Sequence, residues 1–367
     1  MLKIRVILVL ALLCSVGILV AQDDFVPPTA DDIIWTCPEG FAGQTLNVFN
    51  WSTYIGETTV EDFERLCGVT VNYDTFEGNE AMVARLRQGN PGFDVTFANE
   101  YIIPTMIREE LVLPINLDNI PNIANIAERW RGLSFDPENE YSVPYLWGTT
   151  GIAYNVEKVS EPITSWEQIY NYNGPVAWLN DGRSSLSVAL KLLGFEPTSQ
   201  NPDEIAQARD FLLQRSSNVV AIHDDDGQLM LERGEVDIVV EYSGDIYQLI
   251  STCECDTYTY VIPDEGGVAD IASMLIPTGA QNPALAEVFM DYILDPAVGA
   301  MIVNFTTYAT PNQAAIDSGF IDPAILTNPA TAPSDEALAN MWFLEDVADA
   351  EQAYNDAWDE ILILAGS

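Results

Sequence analysis

Leu46 to Phe97 reads LNVFNWSTYIGETTVEDFERLCGVTVNYDTFEGNEAMVARLRQGNPGFDVTF, and its hydrophobic spacing changes period repeatedly. Leu46–Trp51 alternates as a strand does, and Val60–Cys67 repeats apolar residues at helical spacing until Gly68 stops it. Val69–Tyr73 is strand-like again. Asn79–Arg87 predicts a helix with Asn79 as cap and Gly89 as stop, and Phe93–Phe97 predicts a third strand. Strands alternating with helices imply a parallel sheet covered by helices, with ligands received at the carboxyl ends of the strands.

The alternation resumes further along. Val176–Leu179, Val219–Ile222 and Val236–Tyr242 have strand character, and Ser185–Leu193, Pro202–Gln214 and Gly227–Arg233 have helical character, so a second α/β unit follows the first. Tyr141–Tyr154 (YSVPYLWGTTGIAY) joins the two. Its Gly148-Thr-Thr-Gly151 core is expected to hinge, because glycine absorbs backbone change without steric cost. Asn282-Pro283 opens a helix with the apolar stripe Leu285, Val288, Phe289, Tyr292 and Ile293, and Asp349–Leu364 closes the chain as an amphipathic helix.

A chain of 367 residues is long enough for two domains with separate cores. Its 56 acidic residues against 14 basic ones give a formal charge of −42, which repels phosphate backbones and anionic headgroups and excludes nucleic acid as a partner. Such a charge suits a small cationic ligand, and it also suits a salty or acidic medium. The single histidine, His223, closes most routes that need a histidine base or a histidine metal set, so neither metal nor cofactor is expected. His223-Asp-Asp-Asp226 lacks the alternation of a calcium loop and reads as a solvated turn with Asp226 near a helix start.

Met1–Arg5 is a short basic start, and Val6–Ala21 is an apolar run ending in a small residue. This pattern reads as a secretory signal over residues 1–21, with an uncleaved anchor or a lipidated Cys14 as alternatives. Residues 22–41 are expected to tether the exported protein on the periplasmic or extracellular face of the membrane. Export leaves Cys37, Cys67, Cys253 and Cys255, an even number for an oxidising compartment. Chain proximity favours a Cys37–Cys67 pair, while Cys253-Glu-Cys255 would close a tight ring that is strained or reduced.

Several separated segments share a further likeness. Asn50-Trp-Ser-Thr-Tyr54, Phe76-Glu-Gly-Asn-Glu80, Ser142-Val-Pro-Tyr-Leu-Trp-Gly148, Asn180-Asp-Gly-Arg183, Gly234-Glu-Val-Asp237, Tyr242-Ser-Gly-Asp245, Glu265-Gly-Gly267 and Tyr308-Ala-Thr-Pro-Asn312 follow one another collinearly. In that order they resemble the spermidine/putrescine-binding proteins of ABC transporters. The resemblance implies a two-lobed type II periplasmic-binding-protein fold, each lobe a mixed sheet flanked by helices, with two crossover hinges. It places 42–150 and 271–316 in the first lobe and 151–270 and 317–367 in the second, with hinges near Thr149–Gly151 and Gly266–Ile271. It also implies a monomer that captures a small cation between its lobes and delivers it to an ABC permease.

Carried over residue by residue, the resemblance assigns ligand-facing aromatics to Trp51, Tyr54, Tyr101, Tyr242 and Tyr308, with Tyr242 where the family often has Trp. Ser52 and Asn99 are neighbouring polar candidates. Asp181 and Asp245 match amine-binding carboxylates. Two family carboxylates are missing, because Ser184 and Ala272 stand in their places. Asp270 lies two residues before Ala272 on the presumptive strand Asp270–Ile276, shares its face, and is the expected substitute. Leu344 falls near a family Gln. Arg183 is read either as an anion contact or as the partner of Asp181.

Polyamine chemistry calls for this mixture, since ammonium groups need carboxylates while methylenes need aromatic walls. Other readings keep the scaffold and change the solute, or make the protein a sensor. A secreted hydrolase using paired carboxylates has no support beyond the abundance of acids, and no serine or zinc hydrolase motif is present.

Overall fold

The computed structural model describes residues 25–365 except 77, 225, 254, 330 and 334. The expected signal at 1–21 and the Cys14 alternative lie outside the described residues. The described residues form eleven strands: β1 (Thr45–Trp51), β2 (Thr70–Phe76), β3 (Val95–Asn99), β4 (Val112–Leu113), β5 (Ser142–Asn155), β6 (Val176–Leu179), β7 (Val219–His223), β8 (Ile238–Tyr242), β9 (Tyr258–Val261), β10 (Val268–Pro277) and β11 (Trp342–Phe343). They form one sheet in the order β2-β1-β3-β10-β5-β8-β6-β7, with β4 and β11 on β10 and β9 on β5.

β1 pairs in parallel with β2 and β3, and β6 with β7 and β8. These are the two α/β units read from the sequence. Between them lie β10 and β5, antiparallel to each other and to their outer neighbours. The sheet is therefore mixed, because a distant strand, β10, inserts beside β3. Ser142–Thr150 of β5 pairs with β10 and Thr150–Tyr154 pairs with β8, so one strand serves both lobes. Helices cover each wing. The first lobe buries Leu46, Val48, Phe97 and Phe289 in its core, and the second buries Trp166, Trp178, Leu186 and Trp358.

Glycine at the crossover also serves packing. Gly148 and Gly151 lie in extended strand, where a Cβ would come 2.9 Å from the Tyr308 ring and 2.6 Å from the Tyr260 hydroxyl. Gly68 is the left-handed case: at φ 64° it ends the helix Thr59–Cys67, and its amide donates to the Glu64 carbonyl.

Three local expectations are corrected. Gly78, not Asn79, caps the helix Asn79–Arg87. The Asn79 amide group instead donates to the Tyr101 hydroxyl at 3.2 Å, and its Oδ1 accepts the Asn99 amide at 3.2 Å. Residues 33–41, expected to be tether, are docked on the first lobe. There Trp35 donates its indole N–H to Asp291 at 2.7 Å and its amide to Asp295 at 3.1 Å, and Ile33 and Phe41 pack against the core. Finally, Ile321 is buried in the first-lobe core with Phe320, Ile325 and Leu338 against it, so this stretch of 317–367 belongs with the first lobe. The closing helix Glu351–Ala365 packs on the second lobe through Tyr354, Trp358 and Ile361.

Both cysteine pairs are disulfides. Cys37–Cys67, the pair that chain proximity favoured, ties the docked N-terminal segment to a helix end, and Cys253–Cys255 is bonded, which sets aside the reduced alternative. Because Cys37–Cys67 spans 30 residues, its loss should cost about 3.6 kcal/mol by loop-closure entropy. Urea denaturation of a Cys37→Ala/Cys67→Ala variant should show that drop, and an unchanged midpoint would contradict it.

Candidate functional site

The carboxyl ends of β1, β3, β6 and β8 converge on a cleft of about 670 Å³, its open mouth included. All ten residues singled out in the sequence line it: Trp51, Ser52, Tyr54, Asn99, Tyr101, Asp181, Tyr242, Asp245, Asp270 and Tyr308.

The aromatic walls are built from the backbone outward. After β1 the chain turns sharply, with Thr53 at φ 39°, and Asn50 braces the turn by accepting the Trp51 amide at 2.8 Å and donating to the Tyr54 carbonyl at 3.2 Å. Trp51 meets Tyr54 edge-on at 5.3 Å, and Tyr54 meets Tyr308 at 4.9 Å. The Tyr308 ring lies against Gly148 and Gly244, and a Cβ on Gly244 would sit 2.0 Å from it. Its hydroxyl donates to Asp245 at 2.5 Å.

Each carboxylate is held differently. Asp181 caps the helix Gly182–Leu192, accepting the Ser184 amide at 2.9 Å and the Ser184 hydroxyl at 2.6 Å, with the Tyr242 hydroxyl at 3.4 Å. Ser184 thus holds an anion rather than supplying one. Asp270 accepts the Asn99 side-chain amide at 3.2 Å through Oδ1, while its buried Oδ2 has no partner. Burial first, and Asp181 second, push Asp270 up to about 7. Burial likewise raises Asp245 to about 6, against the opposing hydrogen bond from Tyr308. Ala272 pairs with Asn99 and Leu146 within the sheet and brings no polar group.

Two further acids line the cleft that the sequence reading did not name. Glu80, in the first turn of the helix Asn79–Arg87, accepts the Tyr101 hydroxyl at 3.0 Å, and burial followed by Asp181 raises its pKa. Asp224 accepts the Asn180 side-chain amide at 2.7 Å. Glu80 and Asn180 stood inside segments that carried the family likeness. Asp224 stood in the run read as a solvated turn with Asp226 near a helix start: Asp224 and Asp226 are exposed and Asp226 caps the helix Gly227–Glu232. His223 departs from the reading by ending β7 buried, with Nε2 3.1 Å from the Val240 carbonyl, and Asp224 borders the cleft.

Arg183 neither lines the cleft nor pairs with Asp181. Its guanidinium lies 5.0 Å over Tyr101 and 4.7 Å over Tyr354 and donates to the Glu345 carbonyl at 2.7 Å. Leu344 is buried in the core and is not among the residues that line the cleft.

Glu80, Asp181, Asp224, Asp245 and Asp270 therefore face one space walled by aromatic rings, and no Lys, Arg or His is among its lining residues. Among the described residues, no group of His, Cys, Asp or Glu is arranged to hold a metal. A two-lobed sheet with an acidic, aromatic cleft at its strand ends defines a binding protein for a small solute. The chain belongs to the bacterial extracellular solute-binding protein family, whose model matches residues 58–333.

Its relatives are binding proteins rather than enzymes. It is 30% identical over 338 residues to a putrescine-binding periplasmic protein of Pseudomonas aeruginosa, covering 87% of this chain and 92% of that one. It is 28% identical to the spermidine/putrescine-binding periplasmic protein of Escherichia coli, covering 86% and 91%. Among solved structures, a putative spermidine/putrescine ABC transporter protein from Listeria monocytogenes superposes with a TM-score of 0.82 at 30% identity, covering 86% and 98%.

The raised carboxyls carry a sign. Folded Asp270 and Asp245 keep protons at pH values where an unfolded Asp, at 3.8, has lost them. The folded state then binds more protons between about pH 4 and pH 7, and stability falls as pH rises through that window. The ligand-free melting temperature should fall from about pH 5 to pH 8, and Asp270→Asn should flatten the upper part of that fall. A wild-type profile that rises, or a variant with an unaltered slope, would contradict the assignment.

Proposed function

We propose that this chain captures a linear polyamine of the putrescine or spermidine kind between its lobes and delivers it, as an exported monomer, to the permease of an ABC importer. The observation that carries the reading is the charge inventory of the cleft: five carboxylates and no basic side chain among the lining residues. An uncompensated set of that size is stabilised by cations, and the rings of Trp51, Tyr54, Tyr242 and Tyr308 offer methylene chains an apolar wall with cation-attracting faces. The polyamine-binding relatives support the same ligand class. Nucleic acid is excluded on charge, as in the sequence reading.

Carboxylate placement gives the reading detail. The anions absent at Ser184 and Ala272 are balanced by Glu80 and Asp224 on one side and Asp270 on the other. Glu80 and Asp224 also border an adjoining cavity of about 1140 Å³, so they stand toward the mouth and would meet the outer ammonium of a longer ligand. Closure has contacts to support it: Arg108 reaches Asp346 at 2.7 Å, Arg87 reaches Glu351 at 3.7 Å, and Arg183 stacks on Tyr101. Both ion pairs are partly exposed and each contributes little alone, so the ligand must supply most of the drive to close.

Titration calorimetry should show Asp245→Asn and Trp51→Ala each weakening polyamine binding at least tenfold without lowering the ligand-free melting temperature. Glu80→Gln should weaken spermidine more than putrescine. Unaltered affinity in the first two variants would remove those residues from the site.

A further inference from the structure

Arg183 is only 7% exposed, yet among the described residues no carboxylate forms an ion pair with it. It is the second residue of the helix Gly182–Leu192, where the helix dipole disfavours a cation, and its Nε has no hydrogen-bond partner. A chain with 56 acidic residues has no shortage of counterions. A guanidinium buried without one, at the unfavourable end of a helix, breaks local rules in the way that functional positions do.

The groups that do hold it come from both lobes. Its helix packs in the second-lobe core through Leu186, Val188 and Leu190, and Tyr354, whose ring lies 4.7 Å from the guanidinium, is part of the same core. Tyr101, at 5.0 Å, packs instead with Phe49 and Phe76 of β1 and β2 in the first lobe. Glu345, whose carbonyl accepts from Arg183 at 2.7 Å, lies between Leu344, buried with the first-lobe cluster, and Val347, buried with the second. One planar group thus joins a ring of each lobe to the chain that passes between them. Tyr101 in turn lines the cleft and donates its hydroxyl to Glu80.

We propose that Arg183 is a positioning residue of the cleft, a latch that holds Tyr101 against the second lobe in the closed arrangement and so sets the rate at which bound solute leaves. The proposal rests on the capture of a polyamine between the lobes. Opening separates Tyr101 from the helix that carries Arg183, and the guanidinium then loses one of its two rings. Arg183 is not among the residues that line the cleft, so the latch acts on short and long ligands alike. A second route runs through charge: burial first and Asp181 second raise the pKa of Glu80, and Arg183 opposes them. That route falls on the longer ligand and is kept by lysine, which separates it from the latch.

Stopped-flow tryptophan fluorescence of the whole purified chain, mixed with putrescine or spermidine and then chased, gives association and release rates separately. Arg183→Gln should speed release of both ligands at least tenfold and by a similar factor, with association changed less than threefold, in protein shown folded by near-ultraviolet circular dichroism. Arg183→Lys keeps the charge but not the flat fork that meets two rings and a carbonyl together, so its release should stay severalfold faster than wild type. It carries the comparison if the glutamine variant does not fold. Unchanged release in folded variants would overturn the latch, as would an acceleration confined to spermidine or fully reversed by lysine, because either places the effect on Glu80. Wild-type protein that binds neither polyamine would overturn the polyamine reading and the latch with it, a failure distinct from binding with unchanged release.

Discussion

The cleft gathers five carboxylates, of which Asp245 and Asp270 are buried, and the cost of that uncompensated charge shapes what surrounds it. Asp181 is stabilised at a helix N-terminus, which offers amides and a favourable dipole. Asp245 has the Tyr308 hydroxyl, and Asp270 has only Asn99 for one of its oxygens. The least supported group is also the one pushed furthest up, to about 7. The empty site is therefore partly neutralised by protons, and a cationic ligand would replace them.

The same constraint links the site to the hinge. Tyr308 reaches Asp245 only because Gly148 of the crossover strand and Gly244 of the helix Ser243–Cys253 after β8 leave room for its ring. A strand that passes between the lobes thus forms the seat of a site residue. On the other face of the crossing strands, burial first and the charge of Asp270 second hold the Glu100 carboxyl well above the usual carboxylate range.

Much of this was legible in the sequence where the signal was local or collinear. The βαβαβ order of Leu46–Phe97 gives β1, β2 and β3 with their helices, and the family likeness points to ten residues that the fold collects in one cleft. What could not be read depends on long-range geometry. β10 inserts antiparallel beside β3, and nothing in Asp270–Ile276 announces that neighbour. Residues 22–41 look like tether because the Asp pairs and Pro27-Pro28 at their start are those of a linker, yet Trp35 finds Asp291 and Asp295 far along the chain. Asp224 sits in an acidic run typical of solvated turns, and only the placement of β7 beside β6 turns it toward Asn180.

The central claim is that a cation replaces protons on buried carboxylates, and calorimetry tests it directly. Spermidine should be titrated at about pH 6.5 in two buffers of different ionisation enthalpy, between the raised values of about 6 for Asp245 and about 7 for Asp270. One-to-one binding with net proton release is the predicted result. Binding with proton uptake, or no binding by folded protein, would contradict the account.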